Sequence, residues 1–240
     1  MLRTLSLFAG IGGFDLGLER TGGFRTVAFC EVADFPRAIL AKHWPEVPCY
    51  DDVRTLDAGR LQADGIEVDI ICGGFPCQDV SVAGQREGIG GARSGLWGHF
   101  ARLIGEIRPR IALVENVPGL LDRGIGTVLG DLAALGYDAE WHVVSAAQLG
   151  APHGRERLWV VAYPEGQRAG QLRWGKRAQE GAAAWGVHWP ECQPPSERVV
   201  DGVPHGVDRL TALGNGIVPA VAEFVGRAVL DALDGQARGA

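Results

Sequence analysis

The sequence predicts an α/β fold, a doubly wound and mostly parallel sheet covered by helices on both faces. Two observations carry that expectation. Short apolar or β-branched runs alternate with amphipathic helical patterns over the first two-thirds of the chain, which is how parallel strands and their crossover helices read in sequence. A glycine-rich turn also follows the first run directly, Phe8-Ala-Gly-Ile-Gly-Gly-Phe14, as expected where a strand passes into a helix beside a ligand.

Each element follows in order. Residues 3–7 read as a buried strand and residues 14–20 as a helix after the glycine turn. Residues 26–30 form a second strand. Residues 34–43 form a helix with Asp34 as N-cap and Pro36 in its first turn. A third strand over 68–72 leads into a long glycine-rich loop, 73–95, followed by helical spacing over 96–107. A strand at 111–114, a helix at 127–135 and strands at 141–145 and 158–162 complete the series. From 164 to 196 the chain is rich in Gly, Gln, Pro and Trp without a clean period, and a last helix over 220–233 follows Gly214-Asn215-Gly216 and Pro219.

Composition bounds the function. With 240 residues and 46% hydrophobic content, the chain suits one α/β domain, or one domain with a small appendage. Glycine, at 36 residues, is about twice its usual share, and without a collagen-like period it must serve loops and turns. A net charge of −6 argues weakly against nucleic-acid binding, but Arg155, Arg157, Arg168, Arg173, Lys176 and Arg177 make a locally basic stretch. Five cysteines and no CxxC pair exclude a disulfide framework, fit a reducing compartment and support no metal site. The apolar N-terminus is broken by glycines and Asp15, so it does not read as a secretory signal and none is expected, and no stretch of 18 apolar residues suggests a membrane span. A cytoplasmic protein is expected.

Several residues can carry chemistry. Glu31, just after the second strand, is placed to accept both hydroxyls of a ribose. Asp52 falls where an adenine amino group would be met. Two such acids without a phosphate-binding Arg or Lys favour an adenosyl ligand lacking phosphates. NAD is the competitor, although the first loop is not a GxGxxG pattern. Cys72, ending an apolar strand, reads as a core residue. Cys77 follows Pro76 in a glycine-rich loop at the carboxyl end of a strand, where doubly wound folds bind ligands, so it reads either as a nucleophilic thiolate or as one more buried hydrophobe.

Five blocks resemble one family. Phe8-Ala-Gly-Ile-Gly-Gly-Phe14, Gly74-Phe-Pro-Cys-Gln78, Glu115-Asn-Val117, Arg155-Glu-Arg157 and Gly214-Asn215 occur in the order seen in the cytosine-5 DNA methyltransferases. The resemblance spans nearly the whole chain outside residues 164–196. It implies the Rossmann-like fold of S-adenosylmethionine-dependent methyltransferases, with S-adenosyl-L-methionine as donor and double-stranded DNA as substrate. By resemblance Cys77 is the thiolate that adds to carbon 6 of cytosine, Glu115 serves N3 of the ring, and Arg155 and Arg157 hold the flipped base and nearby phosphates. Phe8, Gly10, Gly12, Glu31, Val32, Asp52, Val53, Pro76, Leu96 and Asn215 are the expected cofactor contacts, and Gln78 and Ser81 are expected to touch DNA.

Two departures stand out. His153 occupies the place where the family usually has Gln at the head of its Gln-x-Arg-x-Arg block. Between the Arg-Glu-Arg strand and the Gly-Asn turn, where family members generally insert a large target-recognition domain, stand only some 35–40 irregular residues. The expected organisation is a catalytic and cofactor-binding domain over 1–162, a reduced recognition or connector segment over 163–198, and a segment over 199–240 returning to the catalytic domain. Within the short segment Arg173, Trp174, Lys176 and Arg177 are the candidate DNA readers. A monomer is expected, bacterial or phage-encoded. Two other readings use the same residues: methylation of cytosine in tRNA, and a degenerate, non-catalytic binding module.

Overall fold

The computed structural model describes residues 1–76, 95–166, 214 and 216–237. Five parallel strands come first: β1 (Leu2–Leu7), β2 (Phe24–Cys30), β3 (Cys49–Tyr50), β4 (Ile70–Gly74) and β5 (Ile111–Asn116). Between them lie the helices α1 (Gly13–Arg20), α2 (Asp34–His43), α3 (Ala58–Ala63) and α4 (Gly95–Ile107). After β5 come α5 (Leu120–Arg123), α6 (Ile125–Ala134), β6 (Tyr137–Ser145) and β7 (Glu156–Pro164). The last element is α7 (Pro219–Ala237).

The sheet order is β3-β2-β1-β4-β5-β7-β6, with β7 antiparallel to both neighbours. The reason is the short connection between β6 and β7, a 3-10 turn (Ala146–Leu149) and a few further residues. A parallel crossover needs a dozen residues or more, usually including a helix, so the chain doubles back instead. β7 runs to Pro164, two residues past the expected edge of the catalytic domain.

Strand residues alternate between two apolar layers. Ile71, Ala112 and Val114 face Phe100, Leu103 and Ile104 of α4 and Val128 and Leu132 of α6. Ile70, Cys72, Ile111 and Leu113 face Phe14 and Leu18 of α1 and Val221, Phe224 and Val225 of α7. Burial on both faces explains why these strands read as continuous apolar runs. Cys72 is wholly buried, and burial pushes its thiol well above the ordinary range, in keeping with a core role.

Helix α7 reaches the sheet through close backbone contact with α1. A methyl group on Gly13 would lie 2.3 Å from the Ile217 carbonyl oxygen, and one on Gly17 would lie 2.3 Å from that of Pro219. Only glycine admits this approach, and it brings residues 216 and 217 beside the loop after β1. Three elements escaped the sequence reading: β3, two residues long; α3, capped by the Asp57 carboxylate accepting from the Arg60 amide; and α5. Asp34 is not the cap of α2 as expected. Ala33 holds that position in extended geometry, and Asp34 is the first helical residue.

Candidate active site

A cleft of about 1340 Å³ opens at the carboxyl ends of the parallel strands, on either side of the point where strand order reverses between β1 and β4. Each parallel strand feeds it. Phe8 and Gly10 come from the loop after β1, Glu31 and Val32 follow β2, and Asp52 and Val53 follow β3. Phe75 and Pro76 follow β4, Glu115 and Asn116 end β5, and Leu96 enters from the first turn of α4. The cleft exceeds the range of about 300–1,000 Å³ usual for one small ligand, leaving room for a second group beside a nucleoside.

At the β2 end, the Glu31 carboxylate accepts from the Gly10 amide at 2.8 Å and from the Ala33 amide at 2.9 Å. This fixes the carboxylate against the glycine loop, in which Phe8 and Gly10 have positive φ of 53° and 55°. At the β3 end, Asp52 accepts from the Arg54 guanidinium at 2.7 Å from Nη2 and 2.9 Å from Nε. Those hydrogen bonds hold the Asp52 carboxyl below its usual range. Arg54 lines the same wall and was not anticipated.

The other end of the cleft is built around Glu115. Its carboxyl is nine-tenths or more buried and is pushed up to about 7 by desolvation, with Arg157 and then Arg155 pulling the other way. Arg157 Nε lies 2.9 Å from Glu115 Oε1. The backbone opposite Glu115 on β4 is Gly74, and a methyl group there would fall 2.5 Å from Glu115 Oε2. The glycine is therefore what lets the acid lie flat over the strand leading to Pro76. Asn116, also unanticipated as a functional residue, donates from Nδ2 to the Phe75 carbonyl at 3.1 Å and ties the end of β5 to the residue before Pro76.

Arg155 and Arg157 are one pair with two jobs. Both act electrostatically on Glu115. Arg157 is bound to the acid, whereas Arg155 donates from Nη1 to the Gly214 carbonyl at 2.8 Å. Among the described residues the buried Nε and Nη2 atoms of Arg155 have no hydrogen-bond partner, and desolvation holds its pKa below the ordinary value.

One expected cofactor contact is placed elsewhere. Gly12 is not among the lining residues. A methyl group on it would meet the Trp44 ring at 2.6 Å, so this glycine admits the packing of Trp44. Residues 216 and 217 line the cleft from the C-terminal side. Cys77, Gln78, Ser81, Arg173, Trp174, Lys176, Arg177 and Asn215 lie outside the described residues.

Residues 2–184 match the family model for C-5 cytosine-specific DNA methylase. The chain belongs to this family. Its relatives include the Type II methyltransferase M2.BsuMI of Bacillus subtilis, 37% identical over 67% of this chain and 42% of the relative. The Type II methyltransferase M.AplI of Arthrospira platensis is 32% identical over 94% of this chain and 59% of the relative. A solved DNA modification methyltransferase from an E. coli prophage superposes with a TM-score of 0.59 at 28% identity, covering 68% of this chain and 47% of that one. Dnmt2 of S. pombe, at 23% identity and a TM-score of 0.58, shares the fold, with 68% of this chain and 51% of that one covered. The chain spans about half the length of the curated relatives it matches. Among its described residues no helix is long and apolar enough to cross a membrane, and no group of His, Cys, Asp and Glu is arranged to hold a metal.

Proposed function

We propose that this chain transfers a methyl group to carbon 5 of cytosine in duplex DNA, with Cys77 as nucleophile. The observation that carries the reading is Glu115: a buried acid paired with Arg157, one strand away from Pro76, at one end of a cleft with room for a second group beside a nucleoside.

Donor and cleft suit each other. Among the described residues the cations lining the cleft are Arg54 and Arg157, and both are bound to carboxylates. Neither is free for a phosphate, which favours an adenosyl group over a dinucleotide. S-adenosylmethionine supplies an electrophilic methyl group. Glu31 would hold the ribose, and Asp52 with Val53 the adenine. The Cys77 thiolate adds to carbon 6 of a cytosine swung out of the duplex, making carbon 5 nucleophilic. Glu115, protonated, donates to N3 and relieves the charge that builds on the ring. Arg157 orients that carboxyl. After transfer, which leaves the donor as its thioether, a water takes the proton from carbon 5, the Cys77 thiolate is expelled and N3 returns its proton to Glu115, restoring aromaticity. The Type II names of the relatives favour a role beside a restriction enzyme, in a bacterial or phage setting.

The test uses labelled S-adenosylmethionine with duplex DNA and, separately, tRNA. Label in DNA and a covalent complex with DNA carrying 5-fluorocytosine, both lost in Cys77→Ser, are expected. Label in tRNA alone would move the substrate to RNA. No label in either, with cofactor or DNA still bound, would make the chain a binding module.

A further inference from the structure

The mechanism leaves one buried acid unused. Asp15, in the first turn of α1, is wholly buried. Its Oδ2 accepts from the Ser6 hydroxyl on β1 at 2.9 Å, and its Oδ1 accepts from the Thr26 hydroxyl on β2 at 3.0 Å. The ionisable groups that face it are Glu19 on the same helix and Cys72 on β4, and no cation bears on it among the described residues. Burial pushes its carboxyl up to about 7. A buried carboxyl of this kind costs stability compared with an apolar side chain of the same size. Violations of that sort concentrate where function needs them.

The position of the triad gives it a task. Ser6 stands at the entrance of the glycine loop and Asp15 at its exit, so their hydrogen bond closes the loop that carries Phe8 and Gly10. Thr26 lies on β2, which ends at Cys30, immediately before Glu31. Glu31 in turn takes the Gly10 amide. A glycine-rich segment has many conformations to lose on ordering. A staple across its two ends removes much of that freedom before a ligand arrives, which lowers the cost of binding.

We propose that Asp15 is a positioning residue for the cofactor, stapling the glycine loop to β1 and β2 through Ser6 and Thr26 so that Gly10 and Glu31 are preset for an adenosyl ligand. This rests on the reading of the cleft as the S-adenosylmethionine site.

The test separates positioning from simple stability. The triple variant Ser6→Ala, Asp15→Leu, Thr26→Val replaces the whole network with apolar groups of similar size, a change that is often neutral or stabilising. Its melting temperature is expected to hold while the S-adenosylmethionine dissociation constant, by calorimetry, rises about ten-fold. At saturating cofactor, kcat on duplex DNA should change little, so KM for the cofactor moves and kcat does not. A folded triple variant with wild-type affinity would overturn the proposal. Should that variant fail to fold, Ser6→Ala decides. It removes the hydrogen bond that joins the two ends of the loop and leaves the one from Thr26, so affinity should fall about three-fold. Wild-type affinity there would equally overturn the staple. Failure of the wild-type chain itself to bind S-adenosylmethionine would instead overturn the cofactor reading, and this proposal with it.

Discussion

Glu115 Oε1 and Arg157 Nε lie 2.9 Å apart across the antiparallel pair of β5 and β7, with side chains only 10% and 21% exposed. The pair joins the last parallel strand to the strand inserted against it. It also sets the acid in tension between burial, which favours its neutral form, and the guanidinium, which favours its charged form.

The protonation state of Glu115 should appear in the rate. Donation to N3 needs the neutral carboxyl, and its pKa is raised to about 7. Turnover should fall as pH rises through that value. Glu115→Gln can donate but cannot titrate. It should lose about 10²- to 10⁴-fold in kcat and show no limb near neutrality in a pH–rate profile. A limb that survives in the Gln variant belongs to another group.

Removing the cation should move the same limb. Arg157 lowers the Glu115 pKa, so in Arg157→Ala the acid should stay protonated to higher pH. The profile of that variant, weakened overall, is expected to shift to the alkaline side. An acid shift would show that Arg157 acts on a different group.

Stability should depend on pH through the two raised acids, Asp15 and Glu115. In the unfolded chain both ionise near their ordinary values, whereas folded they keep a proton until about pH 7. Their contribution is complete below the unfolded pKa and declines as pH rises toward 7. Urea unfolding at pH 5 and pH 8 should therefore give a smaller difference in Asp15→Asn and Glu115→Gln than in the wild type. An equal difference in all three would remove these groups as its source.

Gly74→Ala tests the close approach of β4 to Glu115. The new methyl group would fall 2.5 Å from Glu115 Oε2, so the carboxyl must leave its place. kcat should drop at least about ten-fold, since misplacing a reacting group costs far more than its volume suggests. S-adenosylmethionine affinity, measured by calorimetry, should change much less.

Specificity is expected to rest on the short basic segment. Replacing Arg173, Trp174, Lys176 and Arg177 by Ala should weaken DNA binding, reduce its salt dependence and blur the methylated motif, while cofactor binding stays intact. A reader this small should specify about two to four base pairs, one positioned side chain per pair. Bisulfite sequencing that returns the same motif at the same rate would make the segment a connector and move recognition to residues 84–93 or to a partner.

What the sequence by itself determined are the features carried by local order. The apolar runs of β4 and β5, the helical spacing of α2 and α4, the acid after β2 and the core character of Cys72 all follow from residues near one another in the chain. Two-residue β3 was too short to show a period, and Arg54 too close to Asp52 to look like more than surface charge. The tertiary structure alone decided the rest. It inserted β7 between β5 and β6, so that Arg157 meets an acid 42 residues earlier in the chain. It gave Gly12 to Trp44 rather than to the cleft, set Gly74 beneath Glu115 and buried Asp15 between two hydroxyls. These are contacts between distant segments, and their partners are chosen by how strands pair and helices pack, which no local pattern encodes.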